Sequence, residues 1–279
     1  MKINLAKSSG FCFGVKRALE IAHKTIRSQK NICMLGDIVH NEDVVREIRK
    51  AGINKINKLS KGSGKTLLIR AHGAALLTFQ RARKLGYKIV DATCPMVKEI
   101  HKIACDLEKK GYRIVVIGDR RHDEVQGIVG QLKSKAIVID NPRRIPVKKL
   151  KGIKKAAAVV QSTQNIENVA KIVQILKNQI NEFKLANTIC RPTRIKQEEI
   201  KIMPLKNKVM IIIGSRTSAN TRRLYEISKA LNKRSYWVQS RNELKRVWFR
   251  QVESVGVAAG ASTPETTTKE VIRKIRRFC

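Results

Sequence analysis

Apolar and polar positions alternate between two periods along the whole chain. Short β-rich apolar runs at Ile3–Leu5, Ile32–Leu35, Thr66–Ile69, Lys88–Val90, Arg113–Ile117, Ala136–Ile139, Ala156–Val160, Lys208–Ile213, Tyr236–Val238 and Ser254–Ala258 predict strands. Amphipathic stretches follow most of them and predict helices over Gly14–Ser28, Glu42–Ala51, Ala74–Leu85, Pro95–Lys110, Ile166–Glu182, Ala219–Leu231 and Pro264–Arg276. Such alternation predicts an α/β fold with mainly parallel sheets. Runs such as Val209-Met210-Ile211-Ile212-Ile213 are apolar at every position, as expected of strands covered on both faces. Gly/Pro-rich breaks near Asp91–Pro95 and Asn187–Pro192 divide the chain into three small α/β lobes, 1–94, 95–187 and 188–279, the last with a C-terminal tail.

Composition adds limits. The 279 residues are 42% hydrophobic, enough for a sizeable core, which excludes wholesale disorder. No apolar run reaches the roughly 18–20 residues of a spanning helix. The start, MKINLAKSSGFCFGVKRALE, lacks the apolar region and cleavage site of a secretory signal. A soluble cytoplasmic protein is expected.

Charge changes the picture less than its size implies. Lys and Arg number 59 against 22 Asp and Glu, a formal net charge of +37. That balance invites nucleic acid, but the basic residues are spread through every stretch and aromatic residues, at 4%, are not interleaved with a basic stripe. Zinc-finger, RRM and basic-zipper patterns are missing, so nucleic acid is not the expected partner. The charge favours anionic small molecules and acidic proteins.

The six cysteines carry no CxxC pair and fall into two groups. Cys33 lies within a strand run, Cys105 within a helix and Cys279 at the end, all consistent with small apolar or tail thiols. Cys12, Cys94 and Cys190 each sit where a strand-like run gives way to a helix start, in Gly10-Phe11-Cys12-Phe13-Gly14, Asp91-Ala92-Thr93-Cys94-Pro95 and Thr188-Ile189-Cys190-Arg191-Pro192. Helix N-termini favour thiolate, the metal-binding form. Three thiolates without a fourth fit either zinc or an iron–sulfur cluster with one open coordination position.

Histidines divide the same way. His23 and His101 lie within helical stretches, whereas His40, His72 and His122 each follow a strand, at the strand ends where α/β sheets bind ligands. Three histidines there, in a basic protein, suit a phosphate or diphosphate. The clusters Gln161-Ser162-Thr163, Ser218-Ala219-Asn220 and Gly260-Ala261-Ser262-Thr263 precede helical stretches, where hydroxyls either cap the helix or face an anion. Glu124, close to His122, has no obvious helix-face partner and in an enclosed site would serve as a general acid. The segment Lys61-Gly62-Ser63-Gly64-Lys65-Thr66 imitates a phosphate-binding loop, but Leu59 stands where its first glycine is required and a strand follows.

On GFCFGVKRA, IVHN, AHG, DATCP, HDEVQG, QST, NTIC, GSRTSANTRRL and GAS, in that order, the chain resembles the LytB/IspH family of 4-hydroxy-3-methylbut-2-enyl diphosphate reductases. The resemblance spans nearly the whole chain. It implies three similar lobes around a central iron–sulfur cluster, with Cys12, Cys94 and Cys190 ligating a 4Fe-4S cluster. It implies diphosphate binding by His40, His72, His122, Ser218, Asn220 and Ser262, and proton delivery by Glu124 with help from Thr163. It further implies reductive dehydroxylation to isopentenyl and dimethylallyl diphosphate in the methylerythritol phosphate pathway, with a ferredoxin or flavodoxin as electron donor.

Four positions depart from the pattern of the resemblance: Thr217 in place of asparagine, Ala219 in place of serine, Asp123 in place of proline and Asn187 in place of aspartate. Ala219 removes one hydrogen-bond donor, worth about 1–3 kcal/mol if charge-assisted. Two other readings compete. A zinc hydrolase or deaminase would use the Cys and His ligands with Glu124, although the Pro-Cys-x-x-Cys half of the deaminase signature is missing. A basic RNA-binding protein is the non-enzymatic alternative.

Overall fold

The computed structural model describes residues 1–278; Cys279 lies outside the described residues. In chain order the elements are β1 (Lys2–Leu5), α1 (Phe13–Ser28), β2 (Ile32–Leu35), α2 (Glu42–Lys50), β3 (Asn54–Ile56), β4 (Thr66–Ile69), α3 (Leu76–Lys84) and β5 (Lys88–Asp91). Then follow α4 (Pro95–Lys109), β6 (Arg113–Ile117), α5 (Asp123–Val129), β7 (Ile137–Ile139), α6 (Val147–Leu150), β8 (Lys155–Val160), α7 (Ile166–Gln179) and β9 (Glu182–Ala186). The last third holds α8 (Arg191–Lys206), β10 (Val209–Ile213), α9 (Ala219–Leu231), β11 (Ser235–Val238), β12 (Ser254–Ala259) and α10 (Glu265–Arg276).

The strands form three four-stranded sheets, ordered β3-β2-β4-β5, β7-β6-β8-β9 and β1-β12-β10-β11. Every pairing in them is parallel. This is the three-lobed parallel α/β architecture expected from the alternation. One strand departs from the boundaries read in the sequence. Residues 2–5 pair with 254–257, so β1 completes the sheet of the C-terminal third and not that of residues 1–94. Nothing in the local pattern of Ile3–Leu5 specifies a partner some 250 positions away in the chain.

Two-sided burial explains the apolar strands. In the middle sheet, Val115, Ile117, Ala156, Ala158 and Val160 pack with Val169, Ile172 and Leu176 of α7. Their alternating neighbours Ile114, Val116, Ala157 and Val159 face the other way, onto Ile100 and Ala104 of α4 and Val125 and Ile128 of α5. The β10–β12 pair repeats the scheme. Val209, Ile211, Ile213, Val255 and Val257 meet Val271 and Ile275 of α10. Met210, Ile212 and Ala258 meet Ile200 of α8 and Leu224 of α9. Full burial of each Val, Ile, Leu or Met side chain here contributes about 1.5–3 kcal/mol.

The elements that the sequence pattern did not predict are short, at an edge, or weakly amphipathic. β3 and β9 are edge strands with mostly exposed residues. The stretch predicted as helix to 182 therefore ends at 179, and Glu182 opens β9. α5 has seven residues, with Gly127 among them, and α8 carries Pro192 and Pro204. Among the described residues, no helix is long and apolar enough to cross a membrane.

Candidate active site

The chain divides into two compact units. One comprises residues 1–15, 40–45 and 191–279; the other comprises 16–39 and 46–190. The second unit holds Cys94, Cys190, His72, His122, Glu124 and Thr163. The first holds Cys12, His40, Ser218, Asn220 and Ser262.

All three junction cysteines immediately precede a helix. Cys94 is the residue before Pro95 at the start of α4, Cys12 precedes α1 and Cys190 precedes α8. Their backbones are tied down, with Cys94 N–H donating to Ala71 O (2.9 Å), Cys190 N–H to Ser162 O (3.1 Å) and Cys12 N–H to Ala261 O (3.0 Å). All three are partly exposed, and none of the five described cysteines is in a disulfide. The remaining two differ in kind. Cys33 Sγ lies 3.5 Å from Thr66 O and Cys105 Sγ 3.7 Å from Gln131 O, and burial raises both thiol pKa values, which keeps them protonated. Cys12, Cys94 and Cys190 thus share a position directly before a helix that Cys33 and Cys105 do not have.

Glu124 occupies the first turn of α5, yet only 2% of it is exposed. One carboxyl oxygen accepts from Ser162 N (2.6 Å) and the other from Ser162 Oγ (2.7 Å). Burial pushes its pKa up, against the lowering effect of these two bonds. The carbonyl of the same Ser162 receives the Cys190 amide, so one residue joins the buried acid to a cysteine junction. Thr163 is one step removed, accepting from Gln161 Nε2 (3.0 Å), while Gln161 Oε1 accepts from Asp119 N (2.8 Å). Ser162 was not singled out within its cluster in the sequence; only the fold sets it opposite Glu124.

His122 caps α5, its Nδ1 accepting from Glu124 N (3.2 Å). Its ring meets that of His72 edge-to-face, with centroids 5.4 Å apart. His101 does more than fill a helix face. It is half-buried beneath the His72 turn, and desolvation depresses its pKa to about 4, against the pull of Asp91, so it is neutral at physiological pH.

In the other unit, Ser262 Oγ donates to His40 O (2.9 Å), joining two of the expected anion ligands. Ser218 caps α9 by accepting from Thr221 N (3.2 Å). Asn220 is buried, and its Nδ2 donor has no hydrogen-bond partner among the described residues. Ala219 is buried in the first turn of α9, and Thr217 Oγ1 lies 2.7 Å from Ser215 Oγ, which donates to Glu42 (2.8 Å).

α8 also fixes the Cys12 loop. Lys196, 4% exposed, donates to the carbonyls of Ser8, Gly10 (3.3 Å) and Ala259 (3.1 Å). Desolvation lowers its pKa to about 8, opposed by the nearby Cys12 and Glu199. Glu199 accepts from Lys7 N (2.5 Å), Ser8 N (3.0 Å) and Ser8 Oγ (2.5 Å). Neither residue was legible as functional, because a Lys and a Glu on a polar helix usually face solvent.

Fold and site together define a parallel α/β protein that presents thiols at helix N-termini and a buried acid bonded beside one of them. The chain belongs to the LytB protein family, whose pattern matches residues 3–276. It is 39% identical to the 4-hydroxy-3-methylbut-2-enyl diphosphate reductase of Aquifex aeolicus over 99% of this chain and 96% of that protein. It is 40% identical to that of Campylobacter hominis over the full length of both. Among solved structures, a reductase described as the terminal enzyme of the non-mevalonate pathway superposes with TM-score 0.72 at 38% identity, covering 99% of this chain and 100% of that one. The Plasmodium falciparum reductase superposes with TM-score 0.88 at 27% identity, covering 98% and 87%.

Proposed function

We propose that this chain is a 4-hydroxy-3-methylbut-2-enyl diphosphate reductase of the non-mevalonate isoprenoid pathway. Two electrons and two protons convert the (E)-allylic alcohol to isopentenyl or dimethylallyl diphosphate and water. Besides the full-length kinship, the observation that carries this reading is the bonded series from Glu124 through Ser162 to Cys190, which sets a buried acid against a cysteine junction.

Cys12, Cys94 and Cys190 would hold a 4Fe-4S cluster. When bound, such a cluster supplies single electrons and, at the iron without a cysteine ligand, a Lewis acid for the allylic oxygen. The chain's own residues do the rest. His40, His72, His122, Ser218, Asn220 and Ser262 bind and orient the diphosphate through N–H and O–H donors. Glu124, protonated more readily than an ordinary carboxyl because it is buried, gives its proton to the departing hydroxyl, which leaves as water. Thr163 lies beside Ser162 in the chain and assists proton movement through the substrate hydroxyl. A second proton, delivered to either end of the allyl system, selects between the two products. Electrons come from a ferredoxin or flavodoxin in the cytoplasm, drawn to a surface of net charge +37.

Anaerobic purification followed by iron, acid-labile sulfide and zinc analysis tests the reading, together with turnover of the hydroxymethylbutenyl diphosphate under a reducing dye. A four-iron cluster with turnover in the unchanged chain, and loss of nearly all turnover in Glu124→Gln at full iron content, is expected. A protein that stays free of iron after reconstitution, or that binds zinc without sulfide, refutes the proposal. Normal turnover in Glu124→Gln removes Glu124 as the proton source.

A further inference from the structure

The residue between His122 and Glu124 reaches across to the turn that bears His72. Asp123 Oδ2 accepts from Arg70 Nη1 at 2.6 Å, and Arg70 Nε points to Gly73 O at 3.5 Å, inside its own turn. Both side chains are partly buried, at 19% and 29% exposure. The guanidinium fits because position 36 has no side chain. A Cβ on Gly36 would stand 2.5 Å from Arg70 Nη1, and its φ of +80° already favours glycine. A cavity of about 170 Å³, lined in part by Leu35, Arg70, Ala74 and Asp123, lies against the pair.

The rest of α5 is anchored by contacts of other kinds. At its C-terminal end Leu76 N–H donates to Gly130 O (3.0 Å), and on its buried flank Glu124 bonds Ser162. Its middle and the His72 turn both lie close over His101, which would meet a Cβ on Gly73 at 3.0 Å. The Arg70–Asp123 ion pair joins this turn to the first turn of α5. It therefore acts on the end of the helix where His122 and Glu124 sit.

We propose that Arg70 and Asp123 form a positioning pair that locks the His72 turn to the first turn of α5, holding His72, His122 and Glu124 in register for the diphosphate and the leaving hydroxyl. Neither residue touches substrate; the pair acts through its neighbours, and the proposal rests on the functional reading above. A short charge-assisted bond between two turns replaces the stiffness that a proline supplies at the first position of a helix. The backbone is compatible with that alternative, since His122, with φ −74° and ψ 138°, has the extended conformation preferred before proline.

The test is a double-mutant cycle on the anaerobically purified enzyme with Arg70→Gln, Asp123→Asn and the two combined, plus Arg70→Gln/Asp123→Pro. Iron content, kcat and KM for the hydroxymethylbutenyl diphosphate are measured for each. Each single change is expected to lower kcat about 5–10-fold, since small misplacements of acid and ligand carry large rate costs. Iron content stays at the parent level, the double variant is no worse than the poorer single, and the proline variant regains most of the kcat lost in Arg70→Gln. Multiplicative losses in the cycle, single variants with parental kcat and KM, or a proline variant no better than Arg70→Gln each overturn the pair's role. The underlying reading fails separately, through an unchanged chain that stays free of iron after reconstitution or does not turn over the hydroxymethylbutenyl diphosphate, whereas failure of the pair shows only in the variants.

Discussion

Replacing Glu124 separates what the buried carboxyl costs from what it does. Glu124→Gln keeps the side-chain volume, retains an oxygen for Ser162 N–H and can donate its amide to Ser162 Oγ, which accepts as well as donates. Glu124→Ala removes both acceptors and leaves the Ser162 amide and hydroxyl beside a void. An orphaned buried polar group costs about 1–3 kcal/mol, so the alanine variant should lose roughly 2–5 kcal/mol once the void is included. The glutamine variant cannot ionise, so it never places a charge at this buried position.

The pH dependence has a definite sign. Burial raises the folded-state pKa of Glu124 above its unfolded value, so over the interval between the two the unfolded chain has released a proton that the folded chain retains. This contribution is fully present below the unfolded pKa and is lost as pH rises through the folded one, at no more than about 1.4 kcal/mol per pH unit. Parent stability should therefore fall relative to Glu124→Gln as pH rises from the ordinary carboxylate range toward neutrality. Anaerobic urea unfolding of both proteins at a series of pH values measures the difference directly. A difference that stays constant with pH, or a glutamine variant that weakens relative to the parent as pH rises, would refute the assignment of Glu124 as a carboxyl held toward its protonated form.

Three further outcomes are expected. Cys94→Ser should lower bound iron sharply while Cys33→Ser, whose thiol points at Thr66 O, should leave it unchanged; equal loss in both would undo the division of the cysteines. Lys196→Met should release the Ser8, Gly10 and Ala259 carbonyls and speed iron loss to a chelator at least about twofold, with Lys196→Arg intermediate, since charge-assisted bonds of this kind contribute about 1.5–3 kcal/mol each; parental iron retention in Lys196→Met would remove the clamp. Turnover driven by an acidic ferredoxin should fall between low and moderate ionic strength while turnover with a small neutral reductant does not, and insensitivity to salt would dismiss docking through surface charge.

Much of the fold was legible in the sequence because parallel strands buried on both faces leave a continuous apolar signature. Val209–Ile213 and Arg113–Ile117 could be read without knowing any partner, since each alternate residue meets a helix on its own side. Cys12 and Cys94 were legible for a related reason: the change from strand to helix period marks the position, and the helix N-terminus supplies the electrostatics. His122 and Glu124 were also found by position, one residue capping α5 and the other in its first turn.

Local pattern could not supply the partners. That β1 completes a sheet with β12 is a pairing across almost the whole chain, encoded by complementarity and not by period. The same holds for Ser162 against Glu124, Lys196 and Glu199 against the Cys12 loop, and Arg70 against Asp123. Each of these is a polar residue whose sequence neighbourhood allows a solvated surface. Only tertiary packing removes the water, and with water removed a lysine must find carbonyls and a glutamate must find donors. The sequence thus determined the elements with a strong period and the residue types they carry, and the tertiary structure decided the edge and short elements, which polar groups face one another and how burial sets their protonation.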